Sequence, residues 1–136
     1  MGNRQNIFIS YRREDSKEFA SHLHTQLEND YDVFLDTEDG IPYGEKFLPV
    51  IIKNIEKADI FLMVIGKNSC KEFKHREGRD DYVVKEVEHA QKVGSKIIPL
   101  LIDGVTIPDC FPKSIAFVSG LNSLNLEKNF LSTFEN

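Results

Sequence analysis

The stretch Asp59-Ile60-Phe61-Leu62-Met63-Val64-Ile65-Gly66 constrains this chain more than any other. It is strand-length and apolar without interruption, so it has no polar face to turn to water. A strand buried on both faces belongs near the centre of a parallel sheet covered by helices.

The rest of the chain alternates around it. Ile7-Phe8-Ile9-Ser10-Tyr11 reads as a first buried strand and Tyr31-Asp32-Val33-Phe34-Leu35-Asp36 as a second. Lys96 to Ile102 reads as a fourth, and Pro99, which lacks a ladder donor, should lie away from the sheet centre or at a break. A fifth strand is expected near Leu121 to Leu124, after a short helical turn near Phe111 to Ala116. Between strands, Asp15 and Glu18 have capping-box spacing, followed by the apolar face Phe19, Ala20, Leu23 and Leu27. Phe47, Leu48, Ile51, Ile52 and Ile55 form a second such face, with Pro49 acceptable in a first turn. Lys67 to Arg79 is polar and irregular, and Phe130, Leu131 and Phe134 suggest a last helix. That helix stops abruptly at Asn136, which fits either a natural end or a cut from a longer protein. Alternating strands and helices imply right-handed crossovers. The expected fold is a flavodoxin-like three-layer α/β sandwich, a five-stranded parallel sheet of order 2-1-3-4-5 with helices on both faces, in one domain over residues 1–136.

Composition excludes several classes. With 136 residues, 40% hydrophobic and 29% charged, the chain can build one soluble core. Its apolar runs are strand-length, so no membrane span or signal-peptide core is expected. Met1-Gly2 is followed by Asn6 where a myristoylation signal needs Ser or Thr. A net charge of −5 with scattered basic residues argues against nucleic-acid binding. Cys70 and Cys110 read as two isolated thiols without metal spacing, as expected in a reducing cytoplasm. His22 and His24 project to different sides of their helix and read as surface residues.

Asp80 to Val93 is the segment with chemical content. On a helical wheel Val83, Val84, Val87, Ala90 and Val93 form an apolar sector, Glu86 falls at its edge, and Lys85 and Glu88 face solvent. Asp80 or Asp81 can cap the start. Tyr82 lies one turn before Glu86 on the same side. Glu86 is then either an ordinary boundary glutamate or a partly desolvated acid beside an aromatic ring. The topology bears on that choice, because ligands of such sheets bind beyond the carboxyl ends of the strands at the switch point between strands 1 and 3. There Ser10, Tyr11, Arg12 and Arg13 should face Tyr82 and Glu86, beside Asp36 and residues 40–46 of the 37–46 loop. This loop is long, which fits a functional segment or a tolerated surface excursion. Glycine-rich phosphate loops, Cys/His metal clusters and a G-x-S-x-G elbow are absent from the sequence. A phospho-acceptor site would need paired acids after strand 1, where this chain has arginines.

Ile7-Phe8-Ile9-Ser10-Tyr11-Arg12-Arg13, Phe34-Leu35-Asp36, Gly44-Glu45-Lys46-Phe47 and Tyr82-Val83-Val84-Lys85-Glu86, in that order, resemble the Toll/interleukin-1 receptor (TIR) domain. The likeness covers nearly the whole chain and is nearest to the NAD-hydrolysing branch of bacterial-defence type. The resemblance implies a cytoplasmic NAD+ glycohydrolase, with Glu86 catalytic and no cofactor beyond NAD+ as substrate. It implies substrate contacts from Ser10, Tyr11, Arg12, Asp36, Phe47 and Tyr82, the last standing where the branch commonly has Trp. It also implies an assembly loop carrying Gly40, Tyr43, Gly44 and Lys46, and activation by association with other TIR domains in antiphage or immune defence. A C-terminal sensor such as a cyclic-dinucleotide receptor would suit such a module, with neither nucleic acid nor membrane as partner. The alternative within the family is a non-catalytic scaffold acting through homotypic TIR contacts.

Overall fold

A computed structural model describes residues 4–35, 47–75, 77, 81–102 and 104–125. The elements are β1 (Asn6–Ser10), α1 (Arg13–Leu27), β2 (Asp32–Leu35), α2 (Phe47–Lys57), β3 (Ile60–Ile65), α3 (Ser69–His75), α4 (Tyr82–Val93), β4 (Lys96–Leu101), a 3-10 helix (Lys113–Gly120) and β5 (Leu124–Asn125). All strand pairs are parallel, in the order β2-β1-β3-β4-β5. This is the five-stranded, flavodoxin-like α/β arrangement expected from the alternation, with the uninterrupted apolar strand β3 at its centre.

Strand parity divides the interior into two layers. Phe8, Phe61, Met63, Ile65 and Leu101 face one side, where they pack with Ile51 and Ile55 of α2 and Val87 and Ala90 of α4. Ile7, Ile9, Leu62, Val64 and Leu100 face the other, against Ala20, Leu23 and Leu27 of α1. The three phenylalanine rings of the first layer stack across neighbouring strands, with Phe8 centroids 5.2 Å from Phe34 and 5.3 Å from Phe61. Such offset aromatic contacts add to the burial of the rings themselves.

Pro99 needs no break. Lys96 and Ile102 donate their N–H groups towards β3. Alternation along a parallel strand therefore turns Pro99's nitrogen to the other side, towards β5, which pairs only at Leu100 and Leu101. The missing donor falls where the ladder is shortest.

Four expectations are corrected. The stretch after β3 is not irregular throughout: α3 forms in it, its Phe73 buried in the first layer. The first helix starts at Arg13 rather than at the Asp15 capping box and is interrupted by non-helical Ser16 (φ −143°, ψ 28°). The late helical turn is a 3-10 helix over Lys113–Gly120, and β5 follows at Leu124–Asn125. Cys70 and Cys110 are not isolated thiols; they form a disulfide, with Cα atoms 5.6 Å apart. Their separation of 40 residues hid the pair from any spacing rule. Closing a loop of that length removes unfolded-state entropy equivalent to about 4 kcal/mol in the chain-entropy model. The last expected helix and the 37–46 loop lie outside the described residues. Among the described residues, no helix is long and apolar enough to cross a membrane.

Candidate functional site

Alternation along β1 decides what reaches α4. Ser10 lies on the same face as Phe8 and points into the α2–α4 layer, while Tyr11 faces the α1 layer and packs there. Ser10 and Arg12 consequently meet α4, and Tyr11 does not join them. Ser10 Oγ donates to Glu86 Oε1 at 2.7 Å. Two residues on, the Arg12 guanidinium grips Asp81 through Nη1–Oδ1 at 2.6 Å and Nη2–Oδ2 at 2.9 Å. The spacing is commensurate: two extended residues advance about 6.6 Å. Five helical residues, from Asp81 to Glu86, advance about 7.5 Å. The extended chain leaving β1 and the helix run in opposite directions here, so a two-residue step from Ser10 to Arg12 matches a five-residue step back from Glu86 to Asp81.

Both contacts are buried. Glu86 is 4% exposed and Ser10 1%, while Arg12 and Asp81 are 4% and 7% exposed. A carboxylate removed from water keeps its charge only where neighbours offer donors or opposite charge. Glu86 has the Ser10 hydroxyl, and Asp81 has the bidentate guanidinium. Asp81 also caps α4, its Oδ1 accepting the Val83 N–H at 3.1 Å. It thereby resolves the choice between Asp80 and Asp81 as far as the described residues allow. Arg12 in turn stands over the Phe73 ring, with Cζ 4.6 Å from its centroid. Arg12 Nε is buried without a hydrogen-bond partner among the described residues.

Glu86 sits deeper than its wheel position suggested, and other residues of α4 differ as well. Val93 is exposed rather than part of the packed face. Lys85 is half-buried, with Nζ 5.6 Å from the Tyr82 ring centroid, instead of pointing into water. Tyr82 is 40% exposed, leaving a ring surface accessible near the helix start. On the α2 side, His89 Nε2 lies 3.4 Å from Glu56 Oε2 and ties the two helices.

Ser10 and Glu86 are thus brought into direct contact, with Arg12 next to them and Tyr82 one turn above. Asp36, Gly40, Tyr43, Gly44 and Lys46 lie outside the described residues. Phe47 begins α2, and the position of its side chain is not described. Two participants, Asp81 in its ion pair and Phe73 beneath Arg12, went unrecognised as site neighbours. Asp81 had a local signal as a cap; Phe73 had none, because its helix was not expected.

The position of the Ser10–Glu86 pair is the one the topology favours for ligands, beyond the carboxyl end of β1 where the strand order reverses between β1 and β3. A buried carboxylate in that place can hold sugar hydroxyls or stabilise a developing cation.

Comparisons with known proteins give the family and the fold. The chain is 30% identical over 122 residues to "NAD(+) hydrolase tir-1" of Caenorhabditis elegans, covering 87% of this chain and 12% of the relative. It spans only a small part of the curated relatives it matches. The fold is shared with a prokaryotic SEFIR domain (TM-score 0.66, 21% identity, 95% of this chain and 92% of that one). It is also shared with the TIR domains of the activated Roq1 resistosome (TM-score 0.59, 20% identity, 83% and 68%). The family model described as "TIR domain" matches residues 7–135. This chain belongs to the TIR domain family.

Proposed function

We propose that this domain is an NAD+ glycohydrolase with Glu86 as its catalytic carboxylate. The observation that carries the reading is a buried glutamate, hydrogen-bonded to Ser10, at the switch point of the sheet. The curated relative named an NAD(+) hydrolase supports it. In the reaction the bond between the nicotinamide nitrogen and the ribose carbon breaks. Its electron pair leaves with neutral nicotinamide, and positive charge develops on the sugar. Water adds to that carbon and releases one proton, giving ADP-ribose; attack from within the molecule would give a cyclic variant instead.

The leaving group needs no proton, so one carboxylate can suffice where ordinary glycosidases use two. Glu86 stabilises the oxocarbenium-like state and holds the ribose hydroxyls, Ser10 orients Glu86, and Tyr82 stacks on a flat ring. Arg12 serves by ordering the site, since both of its terminal nitrogens are engaged with Asp81. Phe47 and Asp36 complete the wall, Tyr11 supports the segment after β1, and the loop carrying Gly40, Tyr43, Gly44 and Lys46 mediates self-association that switches activity on. The setting proposed for such a switch is cytoplasmic immune or antiphage defence, with a sensor domain beyond this chain.

The test is nicotinamide release from NAD+ by the purified protein at high concentration, beside Glu86→Ala. Loss of at least about a thousandfold in the variant, some 4 kcal/mol of transition-state stabilisation, is expected. Equal release by both proteins would remove Glu86 from the reaction. Silence of both across a wide concentration range would favour the scaffold reading.

A further inference from the structure

The flank of α4 facing away from Glu86 is built from groups that the proposed reaction does not touch. Asp81, Val84 and Glu88 line a cavity of about 850 Å³ there, together with Phe111 and the Cys70–Cys110 disulfide. The disulfide joins the first turn of α3 to the segment entering the 3-10 helix. Phe73 lies three residues after one cysteine and Phe111 one residue after the other. Their rings meet edge to face, with centroids 5.6 Å apart and an interplanar angle of 78°. Arg12 rests on Phe73, grips Asp81, and Asp81 caps α4. A continuous line of contacts therefore leads from the disulfide to the first turn of the helix that carries Glu86.

We propose that Asp81 and Arg12 are positioning residues for Glu86, and that the thiol–disulfide state of Cys70 and Cys110 sets how firmly they hold it. The inference rests on the glycohydrolase reading only for its consequence in turnover; the effect on α4 is independent of it. Both cysteines are partly exposed at the cavity, so a small dithiol can reach the bond. The dithiol supplies two electrons and two protons, becomes a cyclic disulfide itself, and leaves two thiols on the protein. Phe73 and Phe111 then lose their covalent tie. The ring beneath Arg12 is no longer fixed, the guanidinium's grip on Asp81 loosens, and the first turn of α4 frays. Glu86, the fifth residue of the helix, loses its register with Ser10. A buried bidentate pair is sensitive to such a change because its attraction depends on fixed geometry to offset desolvation.

The test compares the oxidised chain, the dithiothreitol-treated chain and Cys70→Ser/Cys110→Ser, reading amide exchange at Val83 and Lys85 together with NAD+ turnover. Reduction is expected to speed exchange at these amides roughly tenfold relative to amides of β3, as for a local opening. It should also lower kcat by roughly threefold or more, with KM for NAD+ nearly constant, the pattern of lost alignment rather than lost binding. The double variant should match the reduced protein and ignore dithiothreitol. Should reduction unfold the whole domain, oxidised Phe73→Leu keeps the disulfide, and its α4 exchange should still rise. Unchanged exchange in the reduced protein and in Phe73→Leu would overturn the proposal, as would a double variant that still responds to dithiothreitol. Faster exchange with no nicotinamide release from any form would support the linkage to α4 and overturn the glycohydrolase reading alone.

Discussion

Two buried contacts join the end of β1 and the turn after it to α4, and they differ in kind. At the helix mouth, Arg12 and Asp81 share two charge-assisted hydrogen bonds, and Asp81 spends its remaining capacity on the helix cap. Deeper in, a neutral hydroxyl meets a carboxylate. The first contact joins opposite charges in a fixed bidentate geometry; the second joins a hydroxyl donor to a carboxylate oxygen. A fully neutralised carboxylate is a good strut and a poor catalyst. A carboxylate held by a hydroxyl can meet positive charge that develops on a substrate. The end of β1 and the turn after it thus supply a charged clamp at Arg12 and, in the proposed reaction, the residue that orients the carboxylate at Ser10.

That comparison can be broken most forcefully at the strut. Arg12→Ala leaves Asp81 buried without its counter-ion and should lower unfolding free energy by about 3–5 kcal/mol, measured by urea denaturation. A smaller loss, near that of an exposed ion pair, would show that the pair is not rigid. The same measurement on Arg12→Met/Asp81→Leu should recover much of the stability, because replacing both partners leaves no orphaned charge.

Ser10→Ala sharpens the other side. Removing a buried hydrogen bond to a carboxylate should cost about 1.5–3 kcal/mol of stability, less than Arg12→Ala, and kcat should fall about 10- to 100-fold as Glu86 loses the donor that orients it. Equal stability losses for Ser10→Ala and Arg12→Ala would erase the distinction between strut and reactive group. The smallest effect is expected at Tyr82, which is exposed. Tyr82→Ala should change stability by no more than about 0.5 kcal/mol, whereas KM for NAD+ should rise if the ring stacks on substrate.

Much of the architecture was legible in local pattern. The apolar run of β3 announced a central strand, and the period of Ile51 and Ile55 and of Val87 and Ala90 announced the helices that cover it. Glu86 and Ser10 stand out individually, from position on a wheel and from the end of a strand, while their contact does not. Helix α3 was missed because Lys67–Arg79 presents one buried aromatic, Phe73, amid polar residues, too little for a periodic signal. Val93 has an apolar wheel position, yet the helix ends there at Gly94, whose φ of 82° suits a left-handed cap, and among the described residues Val93 is 40% exposed.

By itself, the sequence determined most of the elements and their parallel order, though not helix α3. Those follow from side-chain periodicity and from the handedness of crossovers, which are properties of short stretches and of chain order. Only the tertiary structure decided the partners: Ser10 with Glu86, Arg12 with Asp81, and Cys70 with Cys110, separated by 76, 69 and 40 residues. A hydrogen bond, an ion pair and a disulfide each require atoms within a few ångströms and in a particular orientation. That condition is met by the packing of whole elements, and no neighbouring residue in the chain encodes it.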